Sequence, residues 1–174
     1  NLVFWERFRF HPGSSPRIVK TPFGRVGLAI CADMIYRRVW DGSRDQIDLA
    51  IVSAAWPDFA CRNTGRRHWL LGHVGPLSHD IPEKVARDLK IPVVFANQCG
   101  ETRTTIPVLH TTILDCFAGR SSICDGLHGS PIRADRDPSV LVAPITIHSQ
   151  RGLKSWSSMY RSAPADSYSA SERS

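Results

Sequence analysis

Cys31 is the residue of this 174-residue chain whose surroundings best suit it to do chemistry. It follows GRVGLAI, a run of small and apolar residues that is typical of a strand with both faces covered. A pattern with helical spacing begins soon after it, so the sequence predicts a sharp strand-to-helix turn at the cysteine. Backbone N–H groups at the start of such a helix favour a thiolate and, later, a developing oxyanion. The alternative is that Cys31 is one more small, buried apolar residue, as free cysteines usually are.

The elements predicted around Cys31 form a layered α/β domain. Residues 17–30 indicate a β-hairpin with its turn at TPFG, and residues 34–42 carry apolar side chains at helical spacing. Further strands are predicted at 48–53, 91–96, 117–124 and 140–147, and helices around 63–74 and 80–90, the second with Pro82 near its start. Residues 101–116 are expected to form a loop.

The chain is predicted to consist of one domain and a tail. Its 174 residues and 42% hydrophobic content suffice for a single core. From Arg151 onward serine becomes frequent and aliphatic residues become few. We therefore assign residues 1–150 to the domain and residues 151–174 to a flexible or peripheral tail.

The net charge of +6 comes mostly from arginines that are scattered along the chain. Their tightest groups are the pairs Arg37-Arg38 and Arg66-Arg67, and scattered charge more often marks a solvated surface than a nucleic-acid site. No stretch approaches the roughly 20 apolar residues that a membrane-spanning helix needs. We expect neither nucleic acid nor a membrane as a partner.

The five cysteines are an odd number and include no CxxC pair. This pattern argues against a disulfide framework and against a zinc ribbon, so reduced thiols in a cytoplasmic protein are the simpler expectation. The histidines His68, His73 and His79, near Cys61, lack the spacing of a helical or knuckle-type metal site. No metal is expected.

Five segments of the chain, in the same order, resemble those of the nitrilase superfamily of carbon–nitrogen hydrolases. The strongest is GRVGLAICAD, which is similar to the segment that carries the family's nucleophile. The others are residues 5–13, 48–57, 92–100 and 117–126, so that the resemblance covers most of the predicted domain. Each segment is only moderately specific, and the assignment depends on their common order.

The resemblance implies a four-layer αββα sandwich with a Glu-Lys-Cys triad, which hydrolyses non-peptide carbon–nitrogen bonds through a covalent intermediate on the cysteine. Cys31 matches the nucleophile, and Ala32 matches the residue whose backbone N–H helps to hold the oxyanion. Glu6 matches a supporting glutamate near the active site, with a surface carboxylate as the alternative. Trp56 matches a position near the substrate pocket, with a core tryptophan as the alternative.

The same resemblance bears on ligands and partners. It implies a small amide, nitrile or carbamoyl compound as the substrate, no cofactor, and a homo-oligomer as the state of the complete protein. The family often has aromatic-Pro-Glu shortly after the nucleophile, whereas this chain has Tyr36-Arg37-Arg38, which leaves the substrate preference open.

Two members of the triad are not visible in the sequence. Asn1-Leu2 matches the end of the family's K-x-H-L stretch, which puts the lysine just before residue 1 and the general-base glutamate further upstream. We therefore expect the domain to be N-terminally incomplete and to represent the C-terminal two-thirds. Without the strands and helices of the missing part, an apolar face of the domain should be uncovered. We therefore expect this chain alone to be poorly soluble and catalytically silent.

Two other interpretations stay open. A catalytically inactive nitrilase-fold domain with an interaction or regulatory role would also lack the lysine. A protease-like dyad could pair Cys31 with His110 or His128, but nothing near these histidines in the sequence supports it.

Overall fold

Two β-sheets account for the strands in the part of the chain that the structure describes. The computed structural model describes residues 10, 11, 13, 17–58, 74–106, 111–127 and 129–148. The larger sheet has six strands in the order β1 (Arg17–Thr21), β2 (Gly24–Ile30), β3 (Leu49–Ala54), β4 (Val93–Asn97), β7 (Ser122–Cys124) and β8 (Ile132–Arg133). The smaller sheet is a hairpin of β5 (Cys99–Ile106) and β6 (Thr111–Ala118).

The centre of the larger sheet is parallel. β2 pairs with β3, and β3 pairs with β4, so that Ala29, Val52 and Phe95 lie side by side in register. Parallel strands need a crossover connection, and helices usually supply it and cover the sheet. β1 and β7 close the parallel group on its two sides by antiparallel pairing.

One face of this sheet packs against the helices and forms the core. Ala29, Val52 and Phe95 on that face are each at most 5% exposed. The helix α2 (Val74–Leu89) contributes Val85 and Leu89 to the same cluster. The 3₁₀ helix Cys31–Ile35 and the short helix α1 (Arg37–Asp41) complete the layer. None of the helices in the described residues is long and apolar enough to cross a membrane.

The opposite face of the sheet carries a row of aliphatic side chains, which we call the aliphatic ladder. Its members lie in register across five strands, namely Leu28, Ile51, Val94, Ile123 and Ile132. Leu28 is 42% exposed and Ile132 is 43% exposed, although both are large apolar residues. This exposure agrees with the expectation of an uncovered apolar face.

The pattern-based strand predictions hold best around the core. The hairpin over residues 17–30 is confirmed, and the strands predicted at 48–53 and 91–96 correspond to β3 and β4. The strand predicted at 117–124 is divided between the end of β6 and β7. The helix predicted at 34–42 is a 3₁₀ turn followed by a single α-helical turn.

Three predictions were wrong. Residues 101–106 and 111–116 lie in two paired strands and not in a loop, because their β-branched threonines suit a strand even without a strong apolar pattern. The helix predicted from about residue 80 begins at Val74, so Pro82 lies inside it. Residues 140–147 are not a strand, and Val140 and Val142 are 90% and 86% exposed. The greater part of the helix predicted at 63–74 and the tail at 151–174 lie outside the described residues.

The expectation of reduced cysteines holds only in part. Among the described residues Cys31, Cys99 and Cys124 are free thiols, whereas Cys116 is disulfide-bonded. The absence of CxxC pairs could not indicate this, because a disulfide depends on proximity in space and not on spacing in the chain.

Candidate active site around Cys31

Cys31 lies where β2 ends and the 3₁₀ helix begins, so the predicted strand-to-helix turn is confirmed. Its backbone has a positive φ of 46°, which is uncommon for a residue other than glycine. Such conformations cost free energy, and they are concentrated at functional sites where the surrounding structure enforces them. The side chain packs against the core cluster, and the residue as a whole is partly exposed.

The turn is held by the carboxylate of Asp33. Its Oδ2 accepts a hydrogen bond from the backbone N–H of Ile30, with 3.3 Å between the two atoms. The backbone oxygen of Asp33 accepts a second bond from the N–H of Tyr36 at 3.2 Å. Ala32, between Cys31 and Asp33, is partly exposed in the same turn. These bonds fix the backbone on both sides of the cysteine.

The ends of the next two parallel strands lie along the same edge of the sheet. Ile30 is opposite Ser53 in the register of β2 and β3, and Ala54 is opposite Asn97 in that of β3 and β4. Ligands of open α/β sheets bind outside the carboxyl ends of such strands. Cys31 and the segment that follows β3 therefore occupy the place where this architecture offers a site.

Trp56 is buried beside that edge. It is 3% exposed and belongs to the core cluster against which Cys31 also packs. Its backbone N–H donates to Oδ1 of Asn97 at 2.8 Å, and its backbone oxygen accepts from the N–H of Ala118 at 2.9 Å. This burial fits the core alternative for Trp56, and its contact with substrate stays a prediction.

The structure does not bring all of the predicted residues together. Glu6 lies outside the described residues, as do His110 and His128, so their roles stay predictions. Asn97 is a residue whose place at this edge the sequence analysis did not single out. Its position directly after the buried run PVVFA was the available signal, because a polar residue there must lie at the strand's end.

A cavity with a volume of about 750 Å³ lies next to the helices that follow the cysteine. It is formed by the 3₁₀ helix, α1 and α2, and Cys31 is not one of its lining residues. A substrate that reacts with Cys31 must reach its sulfur, so the sheet edge is the better candidate for the site.

The other free thiols differ from Cys31 in their surroundings. Burial raises the pKa of the Cys124 thiol, although a hydrogen bond to Ser122 partly opposes this effect. Cys124 is therefore less able to form the reactive thiolate. Cys99 is partly exposed, but it begins β5 and does not lie at a strand-to-helix turn.

The sequence of the chain also matches a known protein family. The model of the family described as carbon-nitrogen hydrolase matches residues 1–123. The chain belongs to the carbon-nitrogen hydrolase family. The match includes Cys31 and the strands β2, β3 and β4 that surround it. No match was found among curated proteins.

Solved structures agree with the carbon-nitrogen hydrolase assignment at the level of the fold. A carbon-nitrogen hydrolase from Helicobacter pylori G27 is 19% identical, with a TM-score of 0.59, over 78% of this chain and 45% of that one. A mutant of an amidase from Nesterenkonia AN1, of the nitrilase superfamily, is 17% identical, with a TM-score of 0.54, over 75% and 41%.

A second mutant structure of the Nesterenkonia amidase is 18% identical, with a TM-score of 0.54, over 77% of this chain and 43% of that one. It shows covalent addition of the acetamide moiety of fluoroacetamide at that protein's active-site cysteine. This carbon-nitrogen hydrolase chain therefore spans less than half the length of these structures. Its fold is of the α/β nitrilase type, as the sequence predicted.

Proposed function

We propose that the complete protein hydrolyses non-peptide carbon–nitrogen bonds, of the amide or nitrile type, with Cys31 as the nucleophile. The observation that carries this proposal is the position of a partly exposed cysteine with positive φ at the carboxyl end of a parallel strand. Membership of the carbon-nitrogen hydrolase family supports the proposal, because the family's nucleophile segment matches the residues around Cys31.

The chemistry for an amide begins with addition of the Cys31 thiolate to the carbonyl carbon. A carbon–sulfur bond forms, and the carbonyl π electrons move to oxygen, where backbone N–H groups such as that of Ala32 would stabilise the charge. Collapse of this intermediate breaks the carbon–nitrogen bond and releases ammonia or an amine, which takes up a proton. Water then hydrolyses the thioester, so that the acid leaves and the thiol returns.

Lys20, which lies in the hairpin before Cys31, does not supply the lysine that this mechanism needs. Lys20 pairs with Arg25 in the register of β1 and β2, at the far end of β2 from Cys31. The six residues from Arg25 to Cys31 correspond to roughly 20 Å of strand, which is beyond the reach of a lysine side chain. The second candidate is a catalytically inactive domain of the same fold with an interaction or regulatory role.

Fluoroacetamide separates the two candidates without requiring turnover. We expect it to alkylate Cys31, with loss of fluoride, in preference to Cys99, as followed by mass spectrometry of the peptides. Cys31→Ala should abolish this preferred adduct, and Cys99→Ser should leave it unchanged. Equal modification of Cys31 and Cys99 would support the inactive domain.

Turnover is a separate test for the complete protein. We expect ammonia release from short aliphatic amides or nitriles and no release by its Cys31→Ala variant. Glu6→Gln should lower the rate if this residue is the supporting glutamate, and it should have no effect if it is a surface carboxylate. We also propose that the complete protein is cytoplasmic and self-associates.

A further inference from the structure

The side chain of Asn97 connects three segments at the edge of the sheet that carries Cys31. Its Oδ1 accepts from the backbone N–H of Trp56 at 2.8 Å, and its Nδ2 donates to the backbone oxygen of Gly119 at 2.6 Å. The first bond holds the segment that follows β3, and the second holds the segment that follows β6. The Asn97 side chain itself is provided by the last residue of β4.

The two bonds fix the orientation of the amide. A backbone N–H can only donate and a backbone carbonyl can only accept, so the side-chain oxygen must face Trp56 and the NH₂ group must face Gly119. Aspartate would provide the acceptor but not the donor at neutral pH. Alanine would provide neither, and it would leave a buried N–H without its partner.

Further contacts restrict the positions of Asn97 and Gly119. Its backbone N–H donates to the hydroxyl oxygen of Ser121 at 3.0 Å. Gly119 has a positive φ, and a Cβ atom added to it would lie 2.8 Å from the backbone oxygen of Arg136. Gly119, whose carbonyl accepts the Asn97 bond, is therefore closely packed against the backbone of Arg136.

The segment that Asn97 holds lies next to the cysteine. Ser53 is opposite Ile30 in the register, and Ala54 and Cys31 both pack against the same core cluster. The residues after β3 therefore form the side of the site adjacent to Cys31. We propose that Asn97 is a positioning residue that fixes residues 54–56 beside Cys31 by joining them to the base of the β5–β6 hairpin.

This inference rests on the proposed function of Cys31, and its test compares Asn97→Ala and Asn97→Asp with the wild-type chain. Gln98→Ala is the matched control, because it removes an exposed amide side chain from the adjacent position. Hydrogen exchange of the Trp56 amide should be about fivefold faster in Asn97→Ala, which corresponds to the loss of one ordinary hydrogen bond. Exchange should stay near wild type in Asn97→Asp and in Gln98→Ala.

The second readout compares two reagents at Cys31. Fluoroacetamide carries the amide group that the proposed site recognises, whereas methyl methanethiosulfonate reports only whether the sulfur can be reached. In Asn97→Ala we expect the fluoroacetamide rate to fall about tenfold relative to the methanethiosulfonate rate. A shift of about 1 Å in the groups that position a substrate can lower a reaction rate by more than this. A general loosening of the fold would instead raise both rates. If the alanine variant does not fold, the test uses Asn97→Asp instead. We expect the ratio of the fluoroacetamide rate to the methanethiosulfonate rate to fall less in this variant than in Asn97→Ala.

The outcomes separate the two proposals. If the complete wild-type protein shows no preference for fluoroacetamide at Cys31, the proposed function fails and this inference fails with it. If the wild-type chain shows that preference and both Asn97 variants keep the wild-type ratio of the two rates, only the role of Asn97 is overturned.

Discussion

Arg25 and Asp48 form a two-armed ion pair that joins the amino ends of β2 and β3. The Nε atom of Arg25 lies 3.1 Å from one carboxylate oxygen of Asp48, and its Nη2 atom lies 3.1 Å from the other. The backbone N–H of Arg25 donates to the same carboxylate at 2.8 Å. The carboxylate is buried and the guanidinium is mostly covered, so the solvent screens this pair less than an ordinary surface pair.

We predict that Asp48→Asn destabilises the chain by about 2–3 kcal/mol, because it removes a charge-assisted acceptor from three donors. The measurement is the free energy of unfolding in urea. Asp45→Asn, at an exposed position nearby, should change it by less than about 0.5 kcal/mol. The hydrogen bond to Asp48 raises the pKa of Arg25, so deprotonation of the arginine cannot break the pair at any pH near neutrality. Equal effects of the two variants would contradict this role of Asp48.

The positive φ of Cys31 predicts an unusual order of stability among its variants. Glycine adopts this conformation without the steric cost that a Cβ atom incurs, so Cys31→Gly should be about 1 kcal/mol more stable than Cys31→Ala. Both variants lack the sulfur, so the comparison isolates the backbone. Urea unfolding measures the difference. A glycine variant that is less stable than the alanine variant would show that the turn is not strained.

Gly126 and Gly129 provide a matched pair for testing close packing. Both have positive φ, but a Cβ atom at Gly126 would lie 2.4 Å from the backbone oxygen of Ile91, whereas one at Gly129 would meet nothing within 4 Å. We expect Gly126→Ala to cost at least about 3 kcal/mol, from the clash and the φ together, and Gly129→Ala about 1 kcal/mol, from the φ alone. Thermal and urea unfolding would check the order of the two effects.

The aliphatic ladder predicts exposed apolar surface in the purified chain. Leu28→Thr should reduce self-association about fivefold, because it removes roughly 1 kcal/mol of apolar burial from each contact made through this face. Sedimentation and the fluorescence of a dye that binds apolar surface would measure the change. Val140→Thr, at a residue that is also exposed but lies outside the ladder, is the control. The same decrease in both variants would show that the ladder is not the associating surface.

Burial of Cys124 predicts slow alkylation with a particular pH dependence. Because burial raises the pKa of this thiol, its rate with iodoacetamide should be low at pH 8 and should begin to rise at a higher pH than for the same thiol in urea. The raised pKa also means that the folded state retains this proton when the unfolded state loses it. Its contribution to stability is therefore lost as the pH rises above about 8.5, the ordinary value of a thiol. Peptide mass spectrometry at several pH values measures the rates, and in urea Cys124 and Cys99 should react alike.

The elements of the core could be predicted because their residues are apolar without interruption. The runs in β2, β3 and β4 predict strands covered on both faces, whereas the structure covers the face with the helices and leaves Leu28 on the other face 42% exposed. The position of Cys31 follows from the end of the first run. The hairpin of β5 and β6 could not be predicted in this way. Its sequence has no continuous apolar pattern, and its strands are defined by their pairing with each other.

Two further features depend on tertiary contacts that the sequence does not indicate. Val140 and Val142 alternate with other residues as in a strand, but the described residues provide no partner strand for them. The role of Asn97 depends on Trp56 and Gly119, which are 41 and 22 residues away in the chain. A motif can mark such an asparagine, but only the folded arrangement shows which backbone groups it joins.

The strands from β1 to β4 lie in the larger sheet in the order in which they are synthesised. The turn with Cys31 therefore leaves the ribosome well before Asn97, which is 66 residues later in the chain. At translation rates of about 5–20 residues per second, this delay lasts roughly 3–13 s. During that interval residues 54–56 are not yet held beside the thiol by Asn97, so the nascent cysteine is open to oxidation or capture before its site is complete.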